Sequence, residues 1–158
     1  MKLTEKELER WGRRIGESVD PPVFLGLRGP LGAGKSVLAR AVARGAGVQG
    51  AIPSPTFNLV FHYEGRAGVK VRHLDLYRLR NPDELWELGW EELGDGDEIV
   101  LVEWPERAGP LLPADRWDIE LRVQPGASSV REIAVSRVGE PAHLPGFPMA
   151  LSQRRRRR

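Results

Sequence analysis

A glycine-rich stretch of eight residues, 29–36, constrains the fold of this chain more than any other segment, because it fits the pattern G-x-x-x-x-G-K-[ST]. It follows an apolar run, residues 23–27, and leads into a helical pattern that begins near Lys35. In such a loop the glycines turn backbone N–H groups towards phosphate oxygens, the lysine supplies a positive charge, and the Ser36 hydroxyl is a ligand for Mg²⁺. The N-terminus of the following helix adds a partial positive charge. The sequence therefore predicts a phosphate-binding strand, loop and helix.

Chain length and composition favour one domain. The 158 residues, 41% of them hydrophobic, can bury one sizeable core. We expect a single domain over residues 1–140 and an irregular, proline-containing tail over 141–158. The absence of cysteine excludes disulfides and thiolate metal sites. No apolar run approaches the length of a membrane span and residues 1–10 do not resemble a signal peptide, so we expect a cytoplasmic protein without a membrane partner.

The basic residues are unevenly distributed along the chain. The formal net charge is +2, from 24 basic and 22 acidic residues, but five arginines stand together at 154–158. The remaining 19 basic and 22 acidic residues give the rest of the chain a net charge of −3. An arginine run either binds nucleic acid or an acidic partner through counterion release, or forms a solvated tail. The solvated tail is the favoured interpretation.

The N-terminal segment predicts a helix that packs on the sheet. Thr4-Glu5-Lys6-Glu7 fits a capping box, in which the first and last side chains bond each other's backbone N–H groups. Leu8, Trp11 and Ile15 follow at helical spacing and form an apolar stripe. We expect Trp11 in the core, with a wall for a nucleotide base as the alternative. Asp20-Pro21-Pro22 ends this helix.

A proline-stiffened segment, residues 52–57, follows the helix that begins near Lys35. In this position nucleoside triphosphatases place the loop that senses the γ-phosphate. Ser54 or Thr56 would supply the hydroxyl contact. A rigid surface turn is the alternative interpretation, and residues 58–63 then suggest a strand.

Two predicted strands end in carboxylates. Residues 69–75 alternate like a strand that ends at Asp75, and residues 98–103 contain four consecutive apolar residues before Glu103. Carboxylates at the C-terminal ends of strands in an open α/β sheet face the ligand crevice. We therefore expect Glu103 to hold Mg²⁺ near the Ser36 hydroxyl, and Asp75 to orient the hydrated metal or the attacking water. A turn cap is the alternative for Asp75.

Two residues near these carboxylates, His73 and Trp104, each have more than one interpretation. His73 shares a strand face with Asp75, but a lone histidine in this position is more often packed or hydrogen-bonded than catalytic. Trp104 directly follows Glu103 and would stack near the site or cover it.

A further helix is predicted between the two carboxylate strands. Asn81-Pro82-Asp83-Glu84 has the cap, proline and acidic residue of a helix start. Trp86 and Trp90 follow four residues apart, on one face of that helix. This face is either part of the core or an exposed patch for a partner.

The last part of the chain completes an α/β sheet. Residues 116–123 and 130–138 alternate apolar and polar side chains on either side of a turn and predict two antiparallel strands. The strand, loop and helix order earlier in the chain predicts parallel strands around the phosphate-binding loop. We therefore expect an α/β, P-loop NTPase-type three-layer fold with a mostly parallel central sheet and antiparallel late strands.

Together these motifs resemble the bacterial tRNA threonylcarbamoyladenosine biosynthesis ATPase family, known as TsaE and formerly as YjeE. The resemblance spans roughly residues 4–138 and rests on five stretches: Leu31-Gly32-Ala33-Gly34-Lys35-Ser36, Ser54-Pro55-Thr56-Phe57, His73-Leu74-Asp75-Leu76-Tyr77-Arg78, Glu87-Leu88-Gly89 and Leu101-Val102-Glu103-Trp104-Pro105. The P-loop alone is generic, but the combination is specific. Ser36 stands where the family usually has threonine, which preserves the hydroxyl.

The resemblance implies a small ATPase that supports threonylcarbamoylation of the adenosine next to the tRNA anticodon. Such a protein binds ATP and Mg²⁺ and does not itself transfer the group. It binds a heterodimer that contains the transferase and resets it between turnovers. The tRNA is then an indirect partner, and direct RNA contact by the arginine run is the less favoured alternative.

The resemblance also implies roles for individual residues. It places one set in contact with the ATP phosphates: Leu31, Gly32, Ala33, Gly34, Lys35 and Ser36. A second set is implied in catalysis: Lys35, Asp75, Glu103 and Trp104. Mg²⁺ would be held by Ser36 and Glu103.

The resemblance also implies further nucleotide contacts. Ser54 and Thr56 would belong to a switch segment, and Leu8 and Arg131 are candidates for contacts with adenine.

Two other functions fit the same residues. A small-molecule P-loop kinase would need an acceptor pocket and an arginine-rich lid, and the sequence offers Arg78 and Arg80 but no lid of useful length. In a nucleotide-gated binding protein, ATP would order residues 53–57 for a partner without useful hydrolysis.

Overall fold

The described part of the chain, residues 1–53 and 59–146 of this computed structural model, folds around one mixed sheet. Seven strands form that sheet: β1 (Lys2–Thr4), β2 (Val23–Arg28), β3 (Val60–Glu64), β4 (Lys70–Asp75), β5 (Glu98–Glu103), β6 (Arg116–Gln124) and β7 (Ala127–Val138). Three α-helices accompany it within the same ranges: α1 (Glu5–Ser18), α2 (Lys35–Gly45) and α3 (Glu84–Glu87). Short 3-10 segments lie at Arg66–Gly68, Trp90–Glu92 and Pro105–Leu111.

The four central strands of the sheet are parallel. The strand order is β1-β7-β6-β2-β5-β4-β3, with parallel pairing of β6 to β2, β2 to β5 and β5 to β4. The outer pairs, β1 with β7, β7 with β6, and β4 with β3, are antiparallel. A parallel strand covered on both faces needs consecutive apolar residues, which the run from Ile99 to Val102 supplies to β5. The predicted fold class is therefore confirmed.

Alternate residues of β5 belong to two separate apolar cores. Ile99 and Leu101 join the core that contains the buried side chains of α1 and α2. Val100 and Val102 join a second core with Trp90, on the other face of the sheet. Because side chains alternate across a strand, the sheet is the middle of three layers, as the sequence predicts.

The first helix begins and packs as expected. The Thr4 hydroxyl accepts a bond from the Glu7 backbone N–H, and the Glu7 carboxylate accepts one from the Thr4 N–H, which completes the capping box. Trp11 is buried, which confirms its place in the core, and its indole N–H donates to the carbonyl of Pro145 at 3.0 Å. Residues 141–146 form no helix or strand, and the bond from Trp11 to Pro145 joins this segment to α1.

Glycines bring α1 and α2 close together. A Cβ atom added at Gly16 of α1 would lie 2.0 Å from the carbonyl oxygen of Val42, and one added at Gly45 of α2 would lie 2.1 Å from the carbonyl oxygen of Arg13. Any larger residue at either position would force the two helices apart. At the other end of α1, Leu8 lies against Gly34 of the loop that precedes α2. No helix in residues 1–53 or 59–146 is both long and apolar enough to cross a membrane.

The structure corrects the sequence prediction in the segment after β4. Asn81 does not cap a helix; its side chain accepts a bond from the Asp83 N–H, and the helix α3 has only four residues. Gly89, with φ of +75°, separates α3 from the next 3-10 turn, so Trp86 and Trp90 do not share a continuous helical face. Trp90 is buried, whereas Trp86 is 47% exposed.

One strand was not predicted at all. Residues 2–4 form β1, the edge strand that pairs with β7, and Leu3 lies opposite Arg131. A strand of three residues is too short to show the period-two alternation that identifies strands.

The arginine run at 154–158, with its two interpretations, lies outside the described residues.

Candidate functional site

The loop between β2 and α2 has the backbone conformation that its glycines predict. Gly32 and Gly34 have φ of +79° and +104°, a region that residues with a side chain rarely adopt. Gly34 directly precedes α2, so the first backbone N–H groups of this helix open onto the loop. These N–H groups and the helix dipole favour a bound anion.

Lys35 is the first residue of α2, and its side chain packs back against this loop. Its ammonium donates to the carbonyls of Gly29 and Pro30 at 2.5 and 2.8 Å, and it lies 4.3 Å from the ring centroid of Trp104. Burial lowers the pKa of Lys35, while the negative charge of Glu103 acts in the opposite direction. The loop therefore holds a positive charge close to the N-terminus of α2.

The carboxylate of Glu103 connects three elements. Its Oε1 accepts a 2.9 Å hydrogen bond from the Ser36 hydroxyl at the start of α2, and its Oε2 lies 2.7 Å from Nε2 of His73 on β4. Glu103 and His73 are both buried. Each oxygen of this carboxylate thus has a polar partner, as a buried charged group requires.

Asp75 ends β4 directly beside Glu103 at the end of β5. The two residues are aligned in the parallel register of these strands, as expected for carboxylates at one edge of a sheet. Asp75 Oδ1 accepts a hydrogen bond from the Tyr77 N–H at 2.9 Å. Burial raises the pKa of Asp75 and the nearby charge of Glu103 raises it further, while the bond from Tyr77 opposes the shift.

Trp104 has a backbone conformation that the sequence does not reveal. Its φ and ψ are +58° and +50°, in the left-handed region, which costs a residue with a side chain about 1–2 kcal/mol. The ring lies 5.0 Å from that of Tyr77, centroid to centroid, and over the ammonium of Lys35. The backbone N–H of Trp104 donates to the carbonyl of Leu27 on β2. These contacts hold the ring over the phosphate-binding loop.

Arg131 and Leu8 flank the loop from β7 and α1. The Arg131 guanidinium donates to the carbonyls of Ala33 and Gly32 at 3.0 and 3.3 Å, so the structure places this side chain against the loop backbone. Leu8 is buried, and a Cβ atom added at Gly34 would lie 3.2 Å from its Cδ2. Whether either residue contacts adenine stays a prediction.

Most of the residues singled out in the sequence converge on one cavity of about 400 Å³, a size typical of small-ligand sites. It is lined by Glu5, Leu8, Leu31, Gly32, Gly34, Lys35, Ser36, Val37, Asp75, Tyr77, Arg78, Glu103, Trp104 and Arg131. Ala33 is buried and does not line the cavity. Ser54 and Thr56 lie outside the described residues.

Sequence reasoning missed some parts of this site. Glu5, Val37, Tyr77 and Arg78 line the cavity without having been predicted there. Tyr77 and Arg78 lie only two and three residues after Asp75, and this short separation was the signal that could have identified them. The bond between His73 and Glu103 depends on the pairing of β4 with β5, which spacing along the chain does not specify.

Comparisons with known proteins agree on one family. The family model described as "Threonylcarbamoyl adenosine biosynthesis protein TsaE" matches residues 3–133. The tRNA threonylcarbamoyladenosine biosynthesis protein TsaE of Treponema pallidum is 35% identical over 131 residues, which cover 83% of this chain and 94% of that protein. The protein of the same name from Haemophilus influenzae is 33% identical over 141 residues, which cover 86% and 89% of the two chains.

A solved structure has the same fold. The crystal structure of Bacillus subtilis YdiB superposes with a TM-score of 0.72 and is 26% identical, covering 88% of this chain and 86% of that one. The similarity therefore extends over most of the chain rather than over the phosphate-binding loop alone.

Proposed function

Because this chain belongs to the family described as threonylcarbamoyl adenosine biosynthesis protein TsaE, we propose that it is a Mg²⁺-dependent ATPase that supports tRNA N6-threonylcarbamoyladenosine modification. In this proposal it binds a transferase heterodimer and resets it through ATP binding and hydrolysis. The observation that carries the ATPase part is the 2.9 Å bond between the Ser36 hydroxyl and Glu103, in the same cavity as the glycine-rich loop.

The residues at this point fit a magnesium ion. A hydroxyl and a carboxylate are the oxygen ligands that Mg²⁺ prefers, and it is commonly bound by one or two such groups together with substrate phosphates. Within the described ranges no group of three or more His, Asp or Glu side chains is arranged to hold a metal by itself. Ser36 and Glu103 would therefore share the ion with ATP, and bound Mg²⁺ neutralises the charge that develops on the β- and γ-phosphates.

The loop supplies the remaining contacts to the phosphates. Backbone N–H groups of residues 31–36 bind phosphate oxygens, and the Lys35 ammonium stabilises the negative charge of the transferred group. The ammonium is already fixed among the Gly29 and Pro30 carbonyls and the Trp104 ring, so little ordering is needed when phosphate binds. Arg131 supports the same loop through its carbonyls.

The two carboxylates take different roles in the proposal. Both oxygens of Glu103 are engaged, by Ser36 and by His73, which suits a fixed metal ligand. Asp75 accepts a hydrogen bond from Tyr77, and burial raises its pKa, which favours acceptance of a proton. We therefore assign the orientation of the attacking water to Asp75. No covalent nucleophile is needed, because phosphoryl transfer requires mainly positioning and electrostatic stabilisation.

The test is ATP turnover by the purified chain, alone and with the candidate transferase heterodimer, in wild type and Lys35→Ala. Lys70→Ala is the matched control, because it removes an exposed lysine from β4 outside the cavity. We expect slow turnover that rises with the heterodimer, collapses in Lys35→Ala and persists in Lys70→Ala. The wild type could instead bind the heterodimer only in the presence of ATP and release no more phosphate than Lys35→Ala. That result would contradict the ATPase proposal and would indicate a nucleotide-gated binding protein. A phosphorylated metabolite as product would indicate a kinase.

A further inference from the structure

A buried histidine fixes the orientation of the carboxylate that the proposed function assigns to the metal. Nε2 of His73 lies 2.7 Å from Oε2 of Glu103, and the His73 side chain is 1% exposed. The other carboxylate oxygen accepts the Ser36 hydroxyl at 2.9 Å. The terminal torsion of a glutamate is broad when the carboxylate is free, so contacts to both oxygens from two different elements restrict its rotation.

The histidine is itself held in place by the sheet. Parallel pairing of β4 with β5 sets His73 opposite Leu101, and Asp75 opposite Glu103 two residues further on. Leu101 is fully buried, as is Val71 on the same face of β4. The imidazole therefore approaches the carboxylate from a rigid strand and not from a loop, which is how precisely positioned sites are built.

The surroundings of His73 do not favour a histidine for packing alone. Its second ring nitrogen, Nδ1, is buried and has no hydrogen-bond partner within residues 1–53 and 59–146. A buried polar atom without a partner disfavours folding, whereas an apolar side chain of similar size would fill the same space without that penalty. The favourable interaction of this residue lies in the bond of Nε2 to Glu103.

We propose that His73 is a positioning residue for the metal site. Its Nε2–H donates to Oε2 of Glu103, which leaves Oε1 aligned with the Ser36 hydroxyl where the two oxygens would bind Mg²⁺. Partners that bond to metal ligands in this way change metal affinity or activity by about 10- to 100-fold when they are replaced. The inference deepens the proposed function and rests on it.

Three substitutions at one position separate positioning from packing. His73→Gln places an amide N–H at about the position of Nε2, so it can still donate to Glu103. The shorter side chain of His73→Asn reaches only about the position of Nδ1, and His73→Met fills the space without a donor. Val71→Ala is the control for a packing defect on the same face of β4, because Val71 is buried but does not line the cavity.

The measurement is binding of a fluorescent, non-hydrolysable ATP analogue as Mg²⁺ is titrated. We expect His73→Met and His73→Asn to raise the Mg²⁺ concentration at half-effect by about 10- to 100-fold. His73→Gln and Val71→Ala should stay close to wild type, and binding of the analogue without Mg²⁺ should be the same in all variants. If His73→Met does not fold, the difference between His73→Gln and His73→Asn carries the same information.

This experiment distinguishes a failure of the proposed function from a failure of the inference about His73. Wild type that binds the analogue without any effect of Mg²⁺, or does not bind it, would overturn the proposed function together with this inference. A normal Mg²⁺ response in the wild type that is unchanged in both His73→Met and His73→Asn would overturn the inference alone. Equal loss of the Mg²⁺ response in His73→Gln and His73→Asn would also overturn it, because donation to Glu103 would then be irrelevant.

Discussion

The Ser36 hydroxyl donates to Oε1 of Glu103 at 2.9 Å and so joins the first turn of α2 to the end of β5, across 67 positions of the sequence. This bond brings a helix N-terminus, a hydroxyl and a buried carboxylate to one point. Residues adjacent in the sequence do not bring Ser36 and Glu103 together. The parallel pairing of β2 with β5 brings them together, because it aligns Leu27, just before the loop, with Glu103.

Removal of the charge of Glu103 tests its role as a metal ligand. Glu103→Gln keeps the size of the side chain but lowers its affinity for a cation, and we expect ATP turnover to fall about 10²- to 10³-fold, as when one electrostatic group of an active site is lost. Binding of ATP without Mg²⁺ should persist. Glu106→Gln is the matched control, since Glu106 is partly exposed and pairs with Arg28 at 3.6 Å. Equal turnover in the two variants would contradict the assignment.

The strained backbone at Trp104 predicts an unusual order of stabilities. Trp104→Gly and Trp104→Ala both remove the ring from Lys35 and Tyr77, but only glycine adopts φ of +58° without steric cost. We expect the glycine variant to have the higher free energy of unfolding, by about 1 kcal/mol, although glycine usually destabilises a fold relative to alanine. Urea unfolding measures the difference. An alanine variant that is as stable as the glycine variant would mean that the left-handed conformation is not maintained.

Asp75 is expected to oppose folding while it serves function. Burial raises its pKa, so the fold favours the protonated form, and the native state loses stability as the pH rises from the unfolded-state pKa to the folded-state pKa. Asp75→Asn removes that charge and keeps an oxygen that can accept from Tyr77. We expect a higher Tm for the variant at pH 7.5 and a loss of ATP turnover.

The change in Tm caused by Asp75→Asn should depend on pH. As the pH falls to the ordinary Asp pKa of about 3.9 and below, the carboxyl group becomes protonated in both the folded and the unfolded state, so the advantage of Asp75→Asn should shrink there and grow as the pH rises. Tm measured between pH 3.5 and about 8 in EDTA checks this. The exposed Asp95→Asn controls for the loss of one negative charge. A variant with lower Tm than wild type at pH 7.5 would show that Asp75 stabilises the fold.

Trp86 and Trp90 should differ sharply in their contribution to stability. Trp90 is buried, packs edge-to-face on Phe24 at 5.8 Å and donates its indole N–H to the carbonyl of Leu111. Trp90→Ala should therefore cost about 3–5 kcal/mol of unfolding free energy. Trp86 is 47% exposed, and Trp86→Ala should cost about 1 kcal/mol or less. Chemical denaturation of the two variants checks this, and similar losses would mean that Trp86 is also part of the core.

These two tryptophans also show where sequence patterns fail. Helical spacing placed both on one face, but the chain turns at Gly89 and the helix ends after four residues. Asn81 and Pro82 have the residue types of a helix start, yet the Asn81 side chain closes a local turn instead. Residues suited to caps are equally suited to turns, so only the packing of the segment decides between them.

The phosphate-binding loop and the sheet could be predicted because their signals are local. The alternation of residues 69–75, the apolar run 99–102 and the loop between β2 and α2 each lie within one short stretch. Contacts between strands could not be predicted from such local signals. The bond of His73 to Glu103 and those of Arg131 to the loop carbonyls depend on strand order and register, which are set by the packing of the whole sheet.

The most direct test of the account is calorimetric titration of the purified chain with ATP and Mg²⁺, in wild type and in Lys35→Met. Methionine keeps the length of the lysine side chain but has no charge to place against phosphate. The account predicts one ATP bound per chain in the wild type, and affinity that falls at least about 10-fold in Lys35→Met, as expected for a lost charge-assisted contact. ATP binding that is equally tight in both would contradict the assignment of this cavity as the nucleotide site.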